Sequence, residues 1–233
     1  LGAEFFQARV WERPQWYTSN ADLVERYGLE ERPVEWDNRW WNPITVGEHL
    51  NLRENCGLID LSAFQIYELE GPGAVEFADY LAVNKIDVPV GRSVYTPWLN
   101  QDGGFHSDLT MMRMAEDRVR IVTGVFDGGR DEFWVRRHMP NDGSVTFTNL
   151  TKQISTLGLW GPNAPAVLRQ LTDHDLSHEG SPYGSYLPVT IAGVECHLFR
   201  ISYVGDTGWE IYMPWDEAGT VFDAIMEAGK DHG

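Results

Sequence analysis

Cysteine is nearly missing. Cys56 and Cys196 are the only two in 233 residues, and they lie 140 apart. That excludes a disulfide framework and a CxxC metal or redox pair. Positive charge is scarce too: 18 Lys and Arg stand against 35 Asp and Glu, a formal charge of −17. A basic nucleic-acid clamp is therefore excluded, as is docking on an anionic membrane. No apolar run approaches the roughly eighteen residues that a bilayer span requires. No basic-then-apolar signal segment opens the chain. Leu1 rather than Met begins it, so a processed or excised piece is expected, from the cytoplasm or, in a eukaryote, the mitochondrial matrix. The chain also lacks GxGxxG, a P-loop, HExxH and GxSxG, and with them the usual nucleotide, flavin, zinc-protease and hydrolase signatures. What it does have is bulk. Hydrophobic residues make up 42% and aromatics 12%, enough for one large globular domain or two small ones.

The first fifty residues carry Trp11, Trp16, Trp36, Trp40 and Trp41, broken up by Pro14, Pro33 and Pro43. Rings of that size plate a core or line a pocket. Further on, one phrase occurs twice. FQIYELE reads as a strand, Gly71-Pro72 breaks it, and AVEFADYLAV follows as a helix with Val75, Phe77, Ala78, Leu81 and Ala82 on one face. Pro72 is expected in the first helical turn. Ninety residues later come ISTLGLW, Gly161-Pro162 and NAPAVLRQL. Strand pairs with tight turns follow each phrase, and a helix closes each half, roughly 130–139 and 216–230. The expected class is α+β: two related antiparallel-sheet units with helices packed on them. The expected division is 1–63 plus 154–233 as one subdomain, with 64–153 inserted as the second.

Among the titratable residues, Asp108 stands out. It lies in FHSDLTMMRM just after Gly103-Gly104. Strand alternation puts Asp108, Thr110 and Met112 on one face and Leu109 and Met111 on the other. A carboxylate within a sheet is hydrogen-bonded or faces a cavity, because burying it unpaired costs several kcal/mol. It serves either as a catalytic or ligand group or as a rim acid. His106, two positions earlier, is expected on the same face, which would allow a His–Asp relay. His174 and His178 are four apart but lie in a polar stretch. Tyr203 and Glu210 flank GDTGW, and their strands could converge on Tyr95 and Tyr183. Aromatics with a few polar groups suit a flat heterocycle.

Four motifs in order, WERPQWY, GLIDLSAFQIYELEGPGAVEF, LNQDGGFHSDLT and RISYVGDTGWEIY, resemble the folate-binding aminomethyltransferase family typified by the glycine-cleavage T-protein. GGFHSDL, RISYVGDTGWE and WERP are most similar to the tetrahydrofolate domain of dimethylglycine and sarcosine dehydrogenases. The resemblance implies that family's folate-binding fold without its C-terminal barrel. It implies that Asp108 is the essential carboxylate and that Tyr95, Tyr183, Tyr203 and Glu210 bind tetrahydrofolate. It names no metal ligand. Ser107 replaces the family's first Asp, and Gly124 stands where a folate-contacting Asn is usual.

The implied activity is tetrahydrofolate-dependent one-carbon transfer from an N-methyl amine or aminomethyl donor. Alternatives are a non-catalytic folate-binding or regulatory module and an S- or O-demethylase. Implied partners are a methylamine-type small molecule and a flavin domain or C-terminal barrel outside this chain. The chemistry passes through a cationic species, which a fixed carboxylate in a water-poor pocket stabilises. Folate's anionic tail calls for a local basic patch, expected from Arg113, Arg118 or Arg120, or from a C-terminal part outside this chain.

Overall fold

A computed structural model describes residues 1–8, 11–30 and 42–233. The Trp11 side chain, Pro33, Trp36, Trp40 and Trp41 lie outside the described residues. Strands β1 (Ala3–Ala8) and β2 (Trp11–Tyr17) form an antiparallel hairpin. Pro14 sits in β2 opposite a register irregularity, where a missing N–H is tolerated. Short α1 (Asp22–Arg26) follows, then α2 (Pro43–Glu54). Asn42 caps α2 by accepting from the Ile44 N–H at 2.8 Å, and Pro43 occupies its first turn.

The first repeated phrase gives β4 (Gln65–Glu70) and α3 (Ala74–Leu81), preceded by β3 (Gly57–Asp60). Then come β5 (Ser93–Leu99), β6 (Phe105–Ala115), β7 (Arg118–Thr123), α4 (Gly128–His138) and β8 (Thr146–Asn149). The second phrase gives β9 (Ile154–Trp160) and α5 (Ala164–Leu168). It is followed by β10 (Tyr186–Ile191), β11 (Val194–Phe199), β12 (Gly208–Pro214) and α6 (Ala218–Gly229).

The two antiparallel sheets run β5-β6-β7-β4-β8 and β10-β11-β12-β9-β3. The repeat is therefore real, since both units share one order. The α+β class follows directly, and neither sheet closes into a barrel among the described residues. The outermost strands are exchanged. β3 precedes the first unit but pairs with β9 of the second, while β8 precedes the second unit and pairs with β4 of the first.

Gly71 and Gly161 take equivalent left-handed conformations, φ 119° and 124°. A Cβ at Gly71 would lie 2.4 Å from the Ser144 carbonyl oxygen, and one at Gly161 2.5 Å from that of Asn55. Each glycine thus lets the lead-in to an exchanged strand approach. Pro72 sits just outside α3 rather than in its first turn, because the chain first makes a turn from the Gly71 carbonyl to the Ala74 N–H.

One face of each sheet is covered by helices. Leu109, Met111, Val119 and Ile121 pack with Phe77, Ala78 and Leu81. Leu157, Leu159, Trp209 and Ile211 pack with Val167, Val221 and Ile225. The opposite faces meet in a seam of Ile66, Met112, Met114, Val122, Phe199 and Tyr212. The alternation expected along β6 holds: Leu109 and Met111 face the helices, and Met112 faces the seam.

Candidate functional site

The seam is apolar in its middle and polar at one end. Following the register outward from buried Met112 on β6, Thr110 is buried and Asp108 is exposed. The Cα partners of Asp108 and Thr110 are Pro97 and Tyr95 on edge strand β5. The Tyr95 hydroxyl donates to Asp108 Oδ2 at 2.6 Å. That bond, first, holds the Tyr95 phenol above its ordinary pKa. Asn100 shapes the turn that starts β6. Its side chain accepts from the N–H groups of Asp102 and Gly104, and Gly103 is left-handed at φ 77°.

The second sheet supplies the other half. Glu210 on β12 pairs with Phe199 on β11 and Gly158 on β9, and is only 1% exposed. Tyr212 donates to its Oε2 at 2.5 Å, while Oε1 is buried without a partner. Burial pushes Glu210 up to about 7, and the Tyr212 hydrogen bond pulls the other way. Gly158 leaves room for the ring of Trp160, whose nearest atom a Cβ there would meet at 2.1 Å. Trp160 Nε1 donates to the Ile201 carbonyl at 2.7 Å. That bond holds the segment leading to Tyr203.

Tyr203 lies in a loop, not in a strand as expected. β11 stops at Phe199, because the Arg200 N–H turns to the Ser185 carbonyl and the Ile201 N–H folds back on Phe199. Tyr183 lies in the loop before β10. Its neighbour Gly184 accepts from the Ser93 N–H at the head of β5, so this loop is tied to the other sheet close to Tyr95. The five residues come together. The Tyr203 hydroxyl is pushed up to about 12 by burial first, then by Glu210, Asp108, Tyr95 and Tyr183. The ring itself is 68% exposed.

Three expectations require correction. The first concerns enclosure. Tyr95, Tyr183 and Tyr203 are 61–68% exposed, and Asp108 stands on an open face rather than in a water-poor pocket. β5 is the edge of its sheet, and the apolar seam stops short of this end. A cleft of about 270 Å³ does open along the seam, lined by Arg120, Ile154, His197 and Tyr212 among others. None of the five predicted residues lines it.

The second concerns His106. Trp98 pairs with Ser107 but Leu99 with Phe105, so a bulge skips His106 and reverses its direction. Its ring stacks on Trp134 of α4 at 4.1 Å between centroids, far from any relay with Asp108. The third concerns the basic patch. Arg113 and Arg120 are buried and committed, Arg113 to Asp87 and nearby carbonyls and Arg120 to Glu68 at 2.8 Å, while Arg118 is half-buried and acts on Tyr186 and His197 along the seam.

Sequence reasoning missed two groups. Tyr212 is the donor to Glu210, and its position two residues further along the same strand was the available signal. Asp131 on α4 is fully buried and accepts from Ser107 at 2.7 Å and Thr123 at 2.6 Å. It tethers the residues next to Asp108 and Gly124. No local pattern marks it. His174 and His178 are exposed in a loop.

Two matched α+β units, meeting at a seam with a carboxylate–phenol cluster on its rim, define the class as a double-sheet protein of the aminomethyltransferase fold. The crystal structure of glycine cleavage system aminomethyltransferase T from Bartonella henselae superposes with a TM-score of 0.75 at 24% identity. It covers 97% of this chain and 54% of that one. The chain belongs to the GCVT N-terminal domain family, whose model matches residues 1–233. It is 32% identical over its whole length to 4-methylaminobutanoate oxidase (formaldehyde-forming) of Paenarthrobacter nicotinovorans. It is 28% identical over 96% of its length to mitochondrial dimethylglycine dehydrogenase of Mus musculus. It spans 27% and 25% of those two proteins. Among the described residues no helix is long and apolar enough to cross a membrane.

Proposed function

We propose that this chain is the tetrahydrofolate-binding part of an enzyme that transfers a one-carbon unit from an N-methyl amine or aminomethyl donor. The observation that carries the reading is the convergence at Tyr203, whose hydroxyl feels Glu210, Asp108, Tyr95 and Tyr183 together. The residues fit the cofactor. Buried, unpartnered Glu210 Oε1 is the acceptor that an N–H-rich heterocycle edge needs. Three exposed phenols offer flat, amphipathic surfaces for its rings.

When bound, tetrahydrofolate supplies the nitrogens that carry the transferred carbon. Glu210 would accept from the amino-pyrimidine edge, and Tyr95, Tyr183 and Tyr203 would orient the rings. Asp108 sets a fixed negative charge where positive charge develops and holds or passes a proton at its carboxyl oxygens. The Tyr95 hydroxyl keeps that carboxylate oriented. The names of the two relatives, which concern a methylaminobutanoate and dimethylglycine, support an N-methyl amine over an S- or O-methyl donor.

Further parts of a longer protein, a flavin domain or a C-terminal barrel, would cover the open face and exclude water. The folding units are 1–63 plus 154–233 and the inserted 64–153.

Asp108→Asn in the full-length protein is expected to fold normally and to lose at least ~2.7 kcal/mol of transition-state stabilisation, about 10²-fold in rate. The check is the rate of tetrahydrofolate-dependent one-carbon transfer from the amine. Unchanged turnover would remove Asp108 from the role. The openness of the face favours one second reading, a non-catalytic folate-binding module. Tetrahydrofolate binding without transfer by the unsubstituted full-length protein would select it.

A further inference from the structure

We infer that Tyr212 is a positioning residue for the heterocycle site: its hydroxyl clamps one oxygen of Glu210 and thereby leaves the other to accept from the ligand. The inference rests on the proposed function and assigns a task to a residue that does not itself reach the open face.

The geometry is local and fixed. Glu210 and Tyr212 are two apart on β12 and point to the same side of the sheet. The hydroxyl donates to Oε2 at 2.5 Å, and Oε1 has no partner although the residue is 1% exposed. A carboxyl buried this deeply with one oxygen unmet is costly unless something donates to it. The Tyr212 ring cannot swing away. It too is 1% exposed, lies between Cα partners Thr156 and His197, and meets Phe199 edge-on at 5.1 Å.

The charged and titratable groups around the pair are few. Tyr203 faces Glu210 from its loop, with Asp108, Tyr95 and Tyr183 beyond it. From the opposing sheet, Arg120 faces Tyr212. Arg120 is already paired with Glu68 and donates to His197 Nδ1 at 3.3 Å. Among the described residues, Tyr212 is the group that counteracts burial at Glu210.

A ligand edge with two N–H donors needs the carboxylate, not the neutral acid. By hydrogen-bonding the charged form, Tyr212 keeps more of Glu210 ionised near neutral pH. Tyr212→Phe retains the ring and its packing and removes only the donor. In the free protein, a ¹³C titration of labelled glutamate carboxyls follows Glu210, identified by the resonance that Glu210→Gln removes. The midpoint is expected to rise by about one pH unit in Tyr212→Phe. Tetrahydrofolate affinity should then fall about fivefold near pH 7 and return to the unsubstituted value by about pH 9, where either protein is ionised.

A merely structural role would weaken binding equally at both pH values. That result, or an unmoved midpoint, overturns the inference. If the unsubstituted protein binds no tetrahydrofolate at any pH, the proposed function fails, and the midpoint in the free protein still decides the task of Tyr212. Circular dichroism of Tyr212→Phe should match the parent, while its melting temperature falls modestly at pH 9 and less at pH 5, because the lost hydrogen bond stabilised the ionised carboxyl.

Discussion

Glu210 and His197 share the seam face of neighbouring strands and titrate in opposite senses. Burial raises Glu210 from its ordinary 4.5 to about 7. Between those values the folded protein holds more protons than the unfolded chain, so this contribution to stability grows as pH falls from 7 to 4.5. Burial, then Arg120 and Arg118, lowers His197 from 6.5 to about 4. There the folded protein holds fewer protons, so that contribution is lost as pH falls from 6.5 to about 4. The two offset one another in the parent. Glu210→Gln removes one side of the balance. Its urea midpoint should fall more steeply than the parent's between pH 7 and 4.5, and parallel curves would refute the assignment. At this scale the sequence was partly legible. Plain alternation on β6 put Asp108, Thr110 and Met112 together. His106 escaped because a bulge reverses direction without a glycine or proline to announce it. Tyr203 escaped because β11 ends on hydrogen bonds to residues far back in the chain, which no local pattern records.

The elements tell a similar story. Strands, helices and the Asn100–Gly104 turn follow from period and turn chemistry, and the Gly-Pro echo marks two copies of one unit. The exchange of β3 and β8 was not legible, because pairing partners 76 to 103 positions apart leave no trace in a window of ten residues. The cause is visible only in space, at Gly71 and Gly161, where backbone crosses backbone. Gly161→Ala would combine a strained φ with a Cβ 2.5 Å from the Asn55 carbonyl and 2.6 Å from Cys56 Cα. It should destabilise the fold by more than ~1 kcal/mol. A clear drop in melting temperature is expected, whereas alanine at exposed Gly129 of α4, with nothing within 4 Å, should hold or raise it.

For the whole molecule, the seam is the joint on which everything else depends. Residues 64–153 contain a complete five-stranded sheet with its helices, so this piece alone is expected to retain its secondary structure. It leaves Ile66, Met112, Met114 and Val122 bare, an apolar patch that soluble monomers avoid. Expressed alone, it should show native-like circular dichroism and elute as a dimer or larger species. A monomeric fragment would mean that the seam contributes little to holding the halves together. The Arg120 guanidinium at this joint is paired with Glu68, and the middle of the joint is the apolar group Ile66, Met112, Met114, Val122, Phe199 and Tyr212.

The exchanged strands also bring distant points of the chain side by side. The Leu150 N–H donates to the Ile66 carbonyl at 2.8 Å, so the inserted segment leaves where it enters. The Leu61 N–H donates to the Thr156 carbonyl at 2.9 Å, so the outer segment closes on itself across the same gap. The two crossing points are thus neighbours in space, the geometry that tolerates exchange of the 64–153 segment as a cassette. Swapping that cassette for another is expected to leave the pairing of β3 with β9 in place, since neither strand lies within it.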